Sequence, residues 1–147
     1  MLFRLIYTSR YVRGHRGPLS DFRGILKSSR RYNYSHHITG CLFFDKSSFL
    51  QILEGSALAL DTLLERIQGD VRHIDFKVLM RSKVARRHFG VWAMGGAVRS
   101  AAHDEIFAKY GISDDFPDNL PEDAIVTFCE EILNLEEKRP VSRVLIG

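Results

Sequence analysis

Phe49-Leu50-Gln51-Ile52-Leu53-Glu54-Gly55 is an apolar strand pattern interrupted by one carboxamide and closed by an acid and a glycine. Short apolar runs of this length, rich in aromatic and branched residues, read as strands buried within a sheet. A side-chain amide buried there without hydrogen bonds costs on the order of 1–3 kcal/mol, so Gln51 needs an internal partner or a polar ligand. A planar polar ligand meets that need.

Just upstream, Ile38 to Phe44 forms a second strand, joined to Ser48–Leu53 by Asp45, Lys46 and Ser47, a connection short enough for a hairpin. From Pro18 to about Asn33, Leu19, Phe22, Ile25, Leu26 and Ser29 recur at helical spacing, with proline tolerated in the first turn. Before that helix, Phe3, Leu5 and Tyr7 alternate with Arg4, Ile6 and Thr8 as a strand. Downstream, Ser56 caps a second helix carrying Leu60, Leu63, Leu64 and Ile67 on one face, with Gly69 as an expected left-handed stop. Two further strands are expected near Phe76–Met80 and Phe89–Met94.

The order is βαββαββ, an α+β, ferredoxin-like split unit with one added strand and a five-stranded mixed sheet. Both helices belong on one face. The other face needs a cover, which two C-terminal helices supply: a short one around Ala102–Tyr110 ended by Gly111, and a longer one from Pro121 to about Lys138. In the longer helix Ile125, Phe128, Cys129, Ile132 and Leu133 form the apolar stripe, with Glu122 and Asp123 at its positive end.

The chain has 147 residues, 45% hydrophobic and 27% charged, which suits one domain with a modest appendage. No apolar run approaches a membrane span and no leader-like segment follows Met1, so a cytoplasmic location is expected. Cys41 and Cys129 have neither disulfide-framework nor metal-pair spacing and read as small core residues. Residues 1–98 hold 16 basic against 7 acidic side chains, net +9, whereas residues 99–147 hold 5 against 11, net −6. A basic body with an acidic tail fits phosphate binding by the body and docking of the tail onto it, although a basic surface also fits nucleic acid.

Polar groups interrupting the apolar faces mark a groove between the helices and the sheet: Tyr7, Gln51, Ser29 and Asn33, with Trp92 and Met94 on the expected last strand. Ile25 and Ile67 close it from two sides. In order along the chain stand Leu5-Ile6-Tyr7-Thr8-Ser9, Ser28-Ser29-Arg30 with Asn33, Ile38-Thr39-Gly40, and Phe49 to Gly55. Arg66-Ile67-Gln68 with Asp70-Val71-Arg72-His73 follows, then Arg87-His88-Phe89 and Val91-Trp92-Ala93-Met94.

This series resembles the BLUF photoreceptors, sensors of blue light using flavin, from about Phe3 to Gly95. The resemblance implies a noncovalent FAD, with FMN or riboflavin as variants of the same chemistry. It makes Tyr7 the light-driven electron and proton donor and Gln51 the amide bridging Tyr7 to the flavin edge. It places Asn33 on the flavin's pyrimidine side, Ile25 and Ile67 around the ring, Ser29 in the site, and Arg66, Asp70 and His73 near the ribityl and phosphate end. Trp92 and Met94 become the segment that passes the signal on. Tyr32 stands where relatives often place Asn or His, and His37 where they often place Gly. The Arg10–Gly17 loop is longer and more basic than usual, which leaves the ribityl and phosphate contacts open.

The side chains suit that chemistry. A phenol with an ordinary pKa near 10 sheds its proton readily after losing an electron, and an amide offers an acceptor and a donor from one end, so rotation or tautomerisation changes what it presents.

Taken singly, Tyr7, Gln51, Trp92 and Met94 also read as core residues, Asp70 to His73 as a solvated turn, and His36-His37 as a weak metal hint. Two other functions share this element order. An acyl-phosphate hydrolase would grip phosphate with Arg13 or Arg16, but it needs an asparagine that Ile38–Phe44 lacks. An RNA-recognition module stacks bases on exposed sheet aromatics and carries a Lys/Arg-Gly-aromatic signature absent from Phe49–Gly55, which disfavours nucleic acid.

The expected organisation is a flavin-binding domain over residues 1–98 and a helical extension over 99–147. Those 49 residues are too few for a catalytic domain, so the chain is expected to be a receptor rather than an enzyme. Its output is expected to run through the terminal helices to a partner protein or through homo-oligomerisation. Pro140–Gly147, with Val141, Val144, Leu145 and Ile146, reads as a frayed end or a sticky contact.

Overall fold

The hairpin expected around Lys46 lies at the heart of a five-stranded sheet in the computed structural model, which describes residues 1–12, 16–90, 92–112 and 120–138. Chain order is β1 (Leu2–Tyr11), α1 (Pro18–Ser35), β2 (Thr39–Asp45), β3 (Ser48–Gly55), α2 (Ala57–Gln68), β4 (His73–Val84) and β5 (Gly95–Val98). A 3-10 turn (Ala101–His103), α3 (Asp104–Lys109) and α4 (Glu122–Glu137) follow. The strands lie in the order β4-β1-β3-β2-β5, with β2 and β5 parallel and the other neighbours antiparallel. This is the mixed, ferredoxin-like α+β sheet that the pattern implied.

Alternation along the strands sorts side chains into two cores. Leu5, Tyr7, Leu42, Phe44, Phe49 and Leu53 pack with Phe22 and Leu26 of α1 and Leu60 and Leu63 of α2. On the opposite face Ile6, Cys41, Phe43, Leu50 and Ile52 meet Phe107 of α3 and the α4 stripe that includes Ile125, Phe128, Cys129, Ile132 and Leu133. Helices thus cover both faces, which removes the exposed sheet aromatics that an RNA-recognition module needs. Both cysteines are free and buried, as small core residues should be.

Three local expectations are corrected. The last strand is not Phe89–Met94 but Gly95–Val98, so Trp92 and Met94 lie in the crossing segment that precedes it. Its glycines hide it from a hydrophobic pattern, yet they are what lets it fit. A Cβ on Gly95 would lie 2.9 Å from Leu133 Cδ1 on one side, and one on Gly96 would lie 2.6 Å from Leu26 Cδ2 on the other. Gly69 is not a left-handed stop: its φ is −80°, and α2 ends as its N–H bonds back to Glu65 and Ile67 carbonyls. Helix α1 runs past Asn33 to Ser35, and its first-turn Leu19 stays half exposed. Ser56 caps α2 through Ala59 N–H as expected, and Gly111 takes a φ of +69° after α3. Arg13, Val91 and the 139–147 tail lie outside the described residues.

Filling the space above β5 is expected to be costly. Gly96→Val forces a side chain into Leu26, which is 2% exposed, and overpacking of this kind costs about 1–3 kcal/mol. Chemical denaturation checks this, and an unchanged midpoint would contradict the close packing of β5 between α1 and α4.

Candidate functional site

Register brings the two central polar groups together. Tyr7 of β1 is the direct antiparallel partner of Gln51 of β3, and Gln51 is in turn opposite Leu42 of β2. Directly opposed residues share a face with Cβ atoms about 4.5–5.5 Å apart, so the phenol and the amide meet wherever this register holds. The Tyr7 hydroxyl donates to Gln51 Oε1. Gln51 Nε2 donates to Met94 Sδ at 3.7 Å, a long contact to a weak acceptor. Tyr7, Gln51 and Met94 are each 2–3% exposed.

Above this row α1 and α2 stand apart over a cavity of about 530 Å³, counting the part open to solvent. Tyr7 and Gln51 line its floor. Ile25 and Ser29 of α1 face Arg66 and Ile67 of α2, and Asp70 and His73 close one end. Eight of the sequence-derived residues therefore share one cavity. Asn33, Trp92 and Met94 do not line it. Asn33 is fully buried behind α1, where Nδ2 donates to Ala93 O at 3.0 Å, and Trp92 turns the other way to donate from Nε1 to Glu137 Oε1 at 2.9 Å.

Electrostatics assign states to these groups. Burial, with the Asp70 charge adding to it, pushes the Tyr7 phenol far above its ordinary range, so it stays protonated and acts as a donor. Burial lowers the His73 pKa and keeps its ring neutral. Nε2 donates to Ile67 O at 2.9 Å, and Nδ1 accepts from Ser9 Oγ at 2.9 Å. His73 is thus a strut beneath Ile67. Burial alone would raise the Asp70 pKa, but hydrogen bonds and charge from Arg72 outweigh it and hold the carboxyl below the usual range. Both Asp70 oxygens accept from Arg72, which removes Asp70 from direct service to a phosphate. Arg66 makes no ion pair among the described residues; its guanidinium sits 4.6 Å from the Tyr32 ring centre, and Tyr32 stacks on His36 at 3.9 Å.

Ser28, Tyr32, Leu42, Phe49 and Leu63 also line the cavity and were not singled out as site residues from sequence. Helical spacing from Ile25 through Ser28 and Ser29 to Tyr32 was the available signal for the α1 members. Ser9 stood in the Leu5–Ser9 motif without a role of its own, and the structure sets its hydroxyl on the His73 ring nitrogen.

The residues fit a flavin. Two isoleucines flank an opening above an amide and a phenol, and the Arg66 guanidinium, with no ion pair among the described residues, stands at one side. An amide and a phenol on the floor meet the polar edge of a planar ring whose faces the isoleucines cover.

Comparison with known proteins agrees. The family model described as "Sensors of blue-light using FAD" (BLUF) matches residues 2–95. The blue light- and temperature-regulated antirepressor BluF of Escherichia coli (strain K12) is 31% identical over 90 residues, 61% of this chain. This chain spans only 22% of that relative's length. The photo-activated state of BlsA superposes with a TM-score of 0.80 at 30% identity, covering 90% of this chain and 95% of that one. Dark-state BlrB, a BLUF protein, gives 0.71 at 27% identity over 88% and 96%. With the family model spanning well over half its length, the chain belongs to the BLUF family of blue-light sensors that use FAD.

Proposed function

We propose that the chain is a blue-light receptor in which Tyr7 and Gln51 convert light absorption into a hydrogen-bond change that leaves the site through Met94, Trp92 and α4. The observation that carries this reading is the continuous chain Tyr7 Oη, Gln51 amide, Met94 Sδ along the cavity floor. FAD supplies, when bound, a blue-absorbing ring whose excited state is a strong oxidant. Ile25 and Ile67 would flank that ring, Gln51 would meet its polar edge, and Arg66 would sit toward the phosphates, while Asn33 holds the Ala93 carbonyl behind the site.

Among the described residues Tyr7 is the one phenol on the cavity floor, and its hydroxyl already donates to Gln51 Oε1. Loss of an electron to the excited flavin would make the phenol strongly acidic, and Gln51 Oε1, which already accepts its hydroxyl, is placed to relay the proton toward the ring. Rotation or tautomerisation of the amide then replaces the donor facing Met94, which weakens the Gln51–Met94 contact without moving β3. The Met94 segment is held by Arg30 Nε on Met94 O at 2.9 Å, by Asn33 on Ala93 O, and by Gly40 N–H on Trp92 O at 3.1 Å. Trp92 carries the change to Glu137 at the end of α4.

Output then reaches a partner protein through the terminal helices; the antirepressor role in the E. coli relative's name supports a protein partner as its recipient. No helix among the described residues is long and apolar enough to cross a membrane. The hydrolase alternative gains no support: β2 reads Thr39-Gly40-Cys41-Leu42-Phe43-Phe44-Asp45, with no asparagine to orient water.

Tyr7→Phe is expected to retain yellow flavin and lose the light-induced red shift; a normal shift in that variant would remove Tyr7 from its role. Limited proteolysis of the 121–138 segment is expected to differ between darkness and blue light, and identical patterns would contradict the α4 route. His73 gives a pH dependence. Its folded-state pKa lies below the usual value near 6.5, so the unfolded chain binds the proton first and stability is lost as pH falls below about 6.5. Thermal midpoints from pH 8 to 5 are expected to fall more steeply for the wild-type chain than for His73→Gln, and parallel curves would exclude His73 as the cause.

A further inference from the structure

Glu54 is fully buried on the α4 face of the sheet, three residues beyond Gln51, and touches neither the cavity nor Tyr7. Its carboxylate is nevertheless fully used. Oε2 accepts from Arg4 Nε at 2.9 Å, with Nη2 of the same guanidinium ion-paired to it at 2.9 Å, and Oε1 accepts the backbone N–H groups of His88 at 2.9 Å and Phe89 at 2.7 Å. Arg4 extends the cluster by reaching Glu122 Oε1 in the first turn of α4 at 3.2 Å, where Ser82 Oγ also donates at 2.6 Å. Arg87 adds a second clamp on the same segment, with Nη1 on Thr39 Oγ1 at 2.9 Å and on Glu54 O at 2.7 Å, and Nη2 on His37 O at 2.6 Å.

The crossing segment is therefore held unequally at its two ends. Its head, residues 87–89, is pinned by a buried, charge-assisted cluster in which both Glu54 oxygens are occupied, and such sets are costly to break. Its tail, residues 92–94, is held by single bonds to its backbone carbonyls, one of them from the charged Arg30, by the exposed Trp92–Glu137 bond and by the long Gln51–Met94 contact. Helix α4 is tied at both ends, its first turn to the sheet through Glu122 and Arg4 and its last turn to the 3-10 turn through the buried Glu136–His103 pair at 2.5 Å, whereas Trp92 meets that last turn through an exposed bond to Glu137.

We infer that Glu54 is a positioning residue for signal output: it fixes both the head of the 87–94 segment and, through Arg4, the first turn of α4, so that a change at Gln51 is delivered to Trp92 and the C-terminal end of α4. This rests on the reading of Gln51 as the light-responsive amide. Without the anchor the same change is absorbed by movement of the whole segment, and the far end of α4 feels less of it.

Hydrogen exchange of the flavin-loaded chain in darkness and under blue light tests this, with absorption recorded on the same samples. In the wild-type chain the light-minus-dark difference is expected in peptides from the C-terminal half of α4, with its first turn unchanged. Glu54→Gln is expected to keep the red shift but to lose protection at His88 and Phe89, and its light-dependent difference at the end of α4 is expected to fall by roughly threefold or more. Glu122→Gln, a milder change, is expected to spread the difference into the first turn while 87–89 stay protected. A wild-type difference confined to the first turn would overturn the inference. So would Glu54→Gln with a wild-type exchange map, or, if that variant does not fold, Glu122→Gln with one. Absence of any red shift in the wild-type chain is a distinct failure, which overturns the photoreceptor reading and this inference with it.

Discussion

The antiparallel register of β1 against β3 is the constraint on which the site depends. It runs unbroken from Phe3 opposite Gly55 to Arg10 opposite Ser48, and it alone places Tyr7 beside Gln51. A slip of one residue would turn Gln51 to the α4 face and bring apolar Leu50 or Ile52 to the floor. Both strands are interior and covered on both faces, so apolar burial on either side penalises any such slip. On its other flank Tyr7 borders β4, where the pairing shifts between Ile6 and Tyr7 and again between Thr8 and Arg10. The Tyr7–Gln51 pair thus lies in unbroken register toward β3 and beside an irregular pairing toward β4.

Charge organises the second layer. The basic body and acidic tail meet at defined points: Arg4 with Glu122 and His88 facing Glu130. Their role is registration more than net stability, since α4 already buries an apolar stripe from Ile125 to Leu133 and exposed ion pairs contribute at most about 1 kcal/mol each. The cluster around Glu54 differs because it is dry. It joins β1, β3, the crossing segment and α4 in one place, so the two faces of the sheet meet in one segment: Gln51 on one face contacts Met94 at its tail, and Glu54 on the other holds His88 and Phe89 at its head.

Much of this was legible from residue pattern. Period-two alternation gave β1 and period-3.6 recurrence gave α1, α2 and α4, because each of those elements buries one face. The lone amide in an apolar strand pointed to the site, and the ordered motifs from Leu5 to Met94 pointed to the family. What stayed hidden had no hydrophobic period to reveal it. Strand β5 is Gly95-Gly96-Ala97-Val98, a strand defined by the absence of side chains where Leu133 and Leu26 press from both sides. His37 holds a φ of +55°, which explains why glycine suits that position, yet its own identity signals nothing of the kind. Glu54 reads in sequence as the polar end of a strand, whereas its partners lie 34, 35 and 50 positions away. Trp92 and Met94 share a segment but not a direction, because no strand geometry forces residues two apart onto one face there.

The central claim is that light alters the hydrogen bonding between Gln51 and the polar edge of a flavin held beneath Ile25 and Ile67. The most direct measurement is the absorption spectrum of the purified, FAD-loaded chain before and after blue illumination. A yellow protein whose band moves to the red and returns in darkness is the result required; a chain that retains no flavin, or a bound flavin whose spectrum light leaves unchanged, would contradict the account.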